Sequence, residues 1–299
     1  MLPIAFHPMY QHPLPDGHRF PMLKYELLPQ QLLHEGTAVA TDYFEPTACA
    51  IELVLAAHEQ EYVHNLISLE IDPRAARKIG FPLSKELVER ELTIAQGTVT
   101  GAVKAFEHKI AFNIAGGTHH AFPGHGEAFC LLNDQAIAAH YLLNKKLAKK
   151  ILIIDLDVHQ GNGTAAIFQN NPQVFTFSTH GKTNYPFKKE ISDLDIAFDD
   201  HTTDAVFLET IAEVIPRLIE EQKPDFIFYL AGVDILHTDK LGKLGCTIEG
   251  CKNRDEIVLE LCAKHQIPVQ VSMGGGYSPE IKTIIEAHAN TYRVAKSIF

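Results

Sequence analysis

Short runs of aliphatic and aromatic residues alternate with longer amphipathic stretches along most of the chain. Such runs, bounded by polar, Gly or Pro residues, suit strands buried on both faces of a parallel sheet. They occur at 2–7, 109–115, 151–156, 174–178, 225–230 and 268–272. The stretches between them predict helices at 22–28, 58–66, 84–106, 127–144, 164–168, 204–221, 246–264 and 278–296. Ser84 is placed to N-cap the longest of these, with Glu86 in its first turn. Pro29 is expected to end or kink the first helix, and Pro216 to kink the helix around it. Residues 12–20 (HPLPDGHRF) read as a loop. Strands alternating with helices predict an α/β fold, a mainly parallel sheet with helices on both faces. No repeat, low-complexity tract or linker-like break interrupts the pattern, so residues 1–299 read as a single domain.

Composition narrows the setting. Apolar residues make up 46% and charged residues 21%, which is ordinary for a globular chain. No apolar run is long enough to span a bilayer, and the N-terminus lacks the basic start and apolar core of a signal peptide. The five cysteines (Cys49, Cys130, Cys246, Cys251, Cys262) form no CxxC pair, which points to reduced thiols and a cytoplasmic location. A net charge of −11 with no Lys/Arg block argues against nucleic acid or an anionic membrane as partner. It is compatible with cationic substrates, such as basic peptide tails or polyamines. The oligomeric state is not legible.

The chemistry collects where strands end. In open α/β sheets, ligands bind beyond the carboxyl ends of the strands. The 109–115 strand runs into Gly116-Gly117-Thr118-His119-His120, and the 151–156 strand into Asp157 and His159. The 225–230 strand runs into Gly232-Val233-Asp234, and the 268–272 strand into Gly274-Gly275-Gly276-Tyr277. Each motif alone has a bland reading, as a helix cap or a polar loop. Four of them at corresponding strand ends point to one site.

Asp157, His159 and Asp234 offer two carboxylates and an imidazole, the donor set of a catalytic zinc site with an open position. His119 and His120 offer a general base with an acid or electrostatic partner. The Tyr277 hydroxyl is suited to donate to an oxyanion. Gly274–Gly276 would let the backbone pass close to a narrow substrate, which places Gly275 in a substrate channel. The set describes metal-assisted hydrolysis of an amide.

These motifs resemble the zinc-dependent histone deacetylase family, which shares its fold with arginase. GGTHH at 116–120, DLDVHQGNG at 155–163, AGVD at 231–234 with the following HTDKLGKL, and MGGGY at 273–277 match the family in order and spacing. HPLPDGHRFPMLKY looks like its bacterial and class IV-like members, and the resemblance covers nearly the whole chain. It implies Zn2+ (with Fe2+ as an alternative) on Asp157, His159 and Asp234. It also implies His119 and His120 as the tandem histidines, Tyr277 as the transition-state tyrosine, and Asp155 as the carboxylate behind His119.

Further implications concern the surroundings. An inner K+ site would use Asp155 with backbone around Asp157, His159, Ser178 and Thr179, and an outer one backbone at Phe168, Asn171 and Val174. Phe129 and Tyr185 would wall an acyl-lysine channel, and Arg19 would lie at the foot of an internal cavity. Substrates implied are an acylated lysine in a peptide or protein, or small N-acyl amines such as acetylpolyamines. A non-catalytic acyl-lysine binder is the more distant alternative.

Two positions depart from the family's common pattern. Asn162 stands where many members carry an aspartate behind the second histidine, and Gln160 where many carry a third histidine. Asn162 can orient His120 but adds no charge, so His120 is expected to stay neutral as general base while His119 is the more basic. Arginase itself is a poor match. Asn162, Ile235 and Leu236 leave too few carboxylates for a second divalent metal.

Overall fold

The computed structural model describes all 299 residues. Eight strands form one parallel sheet: β1 (Ile4–Ala5), β2 (Tyr43–Phe44), β3 (Ile110–Asn113), β4 (Ile151–Asp155), β5 (Val174–Gly181), β6 (Leu194–Phe198), β7 (Phe226–Leu230) and β8 (Val269–Ser272). Their order is β2-β1-β3-β8-β7-β4-β5-β6. Every residue of β3, β4, β7 and β8 is buried. That is why these four read as unbroken apolar runs rather than alternating ones.

Ten helices connect and cover the strands: α1 (Lys24–His34), α2 (Ile51–Val54), α3 (Gln60–Ser68), α4 (Pro73–Ile79), α5 (Lys85–His108), α6 (Asp134–Asn144), α7 (Asn162–Phe168), α8 (Asp204–Gln222), α9 (Ile248–His265) and α10 (Ile281–Ile298). Ser84 caps α5 by accepting the Leu87 N–H at 3.1 Å. No helix is long and apolar enough to cross a membrane.

Three sequence expectations need correction. The helix expected from residue 127 starts only at Asp134, capped by Asn133, whose side chain accepts the Ala136 N–H at 3.0 Å. Residues 127–130 instead form a tight turn, closed by the Cys130 N–H donating to the Glu127 carbonyl at 2.9 Å. Ala128 and Phe129 sit in it at φ +47° and +69°, a conformation no helix interior allows.

Second, α1 runs through Pro29 to His34 instead of ending there. Leu28, Pro29 and Leu32 are all buried, so packing of this face outweighs the one intrahelical bond that proline removes. By contrast α8 contains Pro216 and runs to Gln222, one residue beyond the expected 204–221. Third, β2, β6, α2 and α4 were not expected. β2 and β6 are the two edge strands, short and only partly buried, so they carry no strong apolar run.

Arg254 on α9 braces the centre of the sheet. It is fully buried and donates to the backbone carbonyls of Leu156, Ala231 and Gly232, just past the ends of β4 and β7. Its Nε is 2.9 Å from Asp255, and Asp255 also accepts from the hydroxyls of Tyr229 and Thr291. Removing one partner of such a pair strands a buried charge. Arg254→Met should therefore lower unfolding stability by about 3–5 kcal/mol, read as a shift of the urea midpoint.

Candidate active site

The four strands with unusual residues after them lie side by side, in the order β3, β8, β7, β4. Their ends are level, because Asn113 pairs with Ser272, Ser272 with Leu230, and Leu230 with Asp155. The four following loops therefore leave one edge of the sheet together and bring their side chains to one place. Asp134 pins the first of these loops, accepting from the Gly117 and Thr118 N–H groups at 2.9 Å and the Thr118 hydroxyl at 2.7 Å.

Asp157, His159 and Asp234 are all buried, and one ligand atom of each lies within 4.8 Å of the others. The His159 Nδ1 is 3.0 Å from the Asp157 Oδ1 and 3.1 Å from the Asp234 Oδ2. The remaining oxygens are oriented by backbone. Gly275 N–H donates to the Asp157 Oδ2 at 2.9 Å, and Val158 N–H to the Asp234 Oδ1 at 3.0 Å. Gly275 is required by space. A Cβ there would lie 2.0 Å from the Asp234 Oδ2 and 2.8 Å from the Asp157 Oδ2. At Gly275 the close approach is thus to the two carboxylates.

The charges of this cluster are frustrated. Burial and the neighbouring Asp157 push Asp234 up to about 7. Burial opposes charge on His159, yet its bonds to Asp157 and Asp234 raise it to about 10. The group thus holds a cation between two carboxylates. An oxygen, nitrogen, oxygen donor set with an open side fits a divalent ion of the zinc or iron(II) type, which would take the place of that proton.

The tandem histidines have different partners. His119 Nδ1 is 2.6 Å from the Asp155 Oδ2, and His120 Nδ1 is 2.6 Å from the Asn162 Oδ1. Burial disfavours charge on both. For His119 the Asp155 and Asp157 carboxylates outweigh it and raise the imidazole to about 8. For His120 burial is reinforced by His119 and His159, which hold it well below the usual imidazole range. The ring centroids are 4.1 Å apart, so the two compete for one proton. The order of basicity is the one expected from Asp155 and Asn162.

Tyr277 lines two cavities, as do His120, Ala128, Phe129 and His159. The Tyr277 backbone N–H donates to Asp239 at 2.6 Å. The inner cavity, about 40 Å3, is bounded also by His119, His120, Asp157, His159, Gly274 and Gly275. The outer one, about 540 Å3, opens between Phe129 and Tyr185. Phe129 and Tyr185, the expected channel walls, both line this outer cavity. Gly275 lines the inner cavity instead of the outer channel. Arg19 is also displaced from its expected place. It lines the outer mouth, its guanidinium 4.9 Å from the Phe129 ring centre, and the arginine at the inner cavity is Arg90, paired with Glu91.

The mouth carries Arg19, Lys78 and Lys243 against Glu127, with Lys243 also 3.8 Å from Asp200, so it is mildly basic on an acidic chain. Asp155 and Ser178 are register partners on β4 and β5, and the Thr179 hydroxyl beside them is buried without a partner.

Sequence reasoning missed Asp134, Arg254, Glu127 and Lys24. Lys24 is fully buried, donates to the Gly274 carbonyl at 3.0 Å and stands 5.6 Å from the Tyr277 ring centre. Burial pushes its ammonium down to about 8. A lysine in an amphipathic helix gives no sign of this. For Asp134 and Glu127 the signal was nearness to the His119-His120 pair.

Comparison with known proteins agrees with this geometry. The family model described as the histone deacetylase domain matches residues 18–292. An uncharacterized protein of Picosynechococcus sp. is 42% identical over 99% of both chains. The acetoin utilization protein AcuC of Staphylococcus aureus is 28% identical over 90% of this chain and 74% of its own length. Histone deacetylase 2 of Arabidopsis thaliana is 27% identical over 90% of this chain and 72% of its own. The crystal structure of the HDA15 HD domain shares the fold, with a TM-score of 0.83 at 20% identity over 98% of this chain and 90% of that one. With the strand order, the strand-end motifs and a domain match over most of its length in agreement, the chain belongs to the histone deacetylase family.

Proposed function

We propose that the protein is a metal-dependent amidohydrolase that removes an acyl group, acetyl first among the candidates, from N-acyl lysine in peptides or proteins. The observation that carries this reading is the convergence of Asp157, His159 and Asp234 with two histidines of opposite basicity, at the junction of two cavities. Family membership supports a deacetylase hydrolase in general. A zinc or iron(II) ion held by the three donors would polarise the amide carbonyl and acidify a water.

The chain's own groups do the rest. Phe129 and Tyr185 flank the entry of a long aliphatic stem, and Tyr277 meets the carbonyl at its end. His120, neutral and with Nδ1 engaged by Asn162, presents Nε2 as the base that takes the attacking water's proton. Tyr277 donates to the oxyanion as it forms. His119, charged beside Asp155, adds positive potential without competing for the water. The proton on His120 then passes to the leaving amine. The inner cavity has room for about three waters at roughly 10–15 Å3 each, or a small acyl fragment.

The basic mouth favours a peptide over an acetylpolyamine, because Arg19, Lys78 and Lys243 repel a polycation. Asp155, Ser178 and the unpartnered Thr179 hydroxyl support the inner K+ site as a structural one. The five free, buried thiols support a cytoplasmic location.

Zinc-loaded protein should release amine faster from an acetyl-lysine peptide than from an acetylpolyamine, measured as a ratio of kcat/KM. Tyr277→Phe should lower kcat by about 10²-fold; unchanged turnover would remove the hydroxyl from the reaction. Asp157→Ala should lose bound zinc as well as activity, which elemental analysis checks. In metal-free protein, an NMR titration should show His119 losing its proton near pH 8 and His120 only at much lower pH. The reverse order would assign the base to His119.

A further inference from the structure

We infer that Glu127 sets the tautomer of His120 through Asn162, and so acts as a positioning residue for the general base. The inference deepens the acyl-lysine hydrolase reading and rests on it for its catalytic meaning. Glu127 Oε1 accepts from the Asn162 Nδ2 at 2.7 Å, while the Asn162 Oδ1 faces the His120 Nδ1 at 2.6 Å.

The two contacts form a polar chain with one direction. An amide can face either way, and its partners decide which. An ionised carboxylate only accepts. It must therefore meet the amide's NH2 end, which turns the amide oxygen toward His120. That oxygen also only accepts, so the proton must sit on the His120 Nδ1. Nε2 is left with its lone pair, the form a general base needs.

Glu127 is kept ionised where it stands. Burial opposes its charge, but the neighbouring His125 and Tyr185 and the hydrogen bond from Asn162 outweigh this and hold it below the ordinary glutamate value. His125 Nε2 lies 3.8 Å away and is itself stacked on Phe122. The backbone also invests in this position. Glu127 opens the turn whose next two residues, Ala128 and Phe129, are both left-handed. That conformation is unfavourable for any residue but glycine. It is held by the Ala128 and Phe129 N–H groups donating to the Lys78 and Ile79 carbonyls at 2.8 and 2.6 Å. One turn thus sets the Phe129 wall and the Glu127 carboxylate together.

An aspartate at 162 would fix the same tautomer without help, since it offers only acceptors. Asn162 needs Glu127 because an amide alone has no preferred end. Glu127→Met removes the acceptor at similar size, and Glu127→Gln replaces it with an amide that can turn either end to Asn162 and so no longer dictates the direction. The test is NMR of isotope-labelled histidine in zinc-loaded protein, reading which ring nitrogen of His120 carries the proton, together with kcat and KM on an acetyl-lysine peptide.

The native protein should show the Nδ1-protonated form alone. Glu127→Met should show a tautomer mixture and a kcat about 10-fold lower, with KM little changed. Combining Glu127→Met with Asn162→Asp should restore the single tautomer. A native His120 protonated on Nε2 overturns the inference, even if no variant folds. So does Glu127→Met with a single Nδ1 form and full kcat. Because the tautomer is read without substrate, an Nδ1-protonated His120 in a protein inert toward acyl lysine would sink the substrate reading and leave the relay standing.

Discussion

Two buried carboxylates share one imidazole, and the rest of the architecture answers to that crowding. Asp157 and Asp234 stand on different strand-end loops yet close on the same His159 nitrogen. Like charges at such range in a low-dielectric interior repel strongly unless a cation sits between them. The fold supplies what it can from backbone. Gly275 and Val158 each donate an N–H to one carboxylate, and the Arg254 guanidinium holds the carbonyls of the loops that carry them. Parallel strands with level ends are what make this possible, since each loop starts from the same height.

The parts of this that could be read in the amino-acid sequence are the parts made by local pattern. β3, β4, β7 and β8 are buried on both faces, so each shows an unbroken apolar run, and the polar residues following each run mark the site. Asp157, His159, Asp234, His119, His120 and Tyr277 were visible for that reason. α4 also had local signals, with Asp72 as N-cap, Pro73 after it and Gly80 at the end, and they were overlooked.

What was hidden depends on tertiary neighbours. Arg254 and Lys24 look like ordinary charged residues of amphipathic helices, and only the folded chain shows them buried under the site. The 127–130 turn has no glycine where one is expected, because contacts with Lys78 and Ile79 impose it. Arg19 illustrates the opposite error. A motif match placed it at the foot of a cavity, but its side chain lies over Phe129 at the mouth. The chain is acidic as a whole, while the charges lining the outer cavity, Arg19, Lys78 and Lys243 against Glu127, are mostly basic.

The asymmetry of the two histidines follows from how each is backed. Asp155 touches His119 directly, so its charge acts at 2.6 Å and favours the imidazolium. Behind His120 the carboxylate is one amide further out, at Glu127. At that remove it retains its directional effect, which the hydrogen bonds carry, and loses most of its coulombic one, which distance and the partly open mouth weaken. Proton position and proton affinity are thereby separated. His119 is made basic, and His120 is left weakly basic with its lone pair aimed inward. A site with aspartates behind both rings would raise both affinities together, and two imidazolium charges with centroids 4.1 Å apart repel each other. Moving one carboxylate back by one side chain resolves that competition without a change of fold.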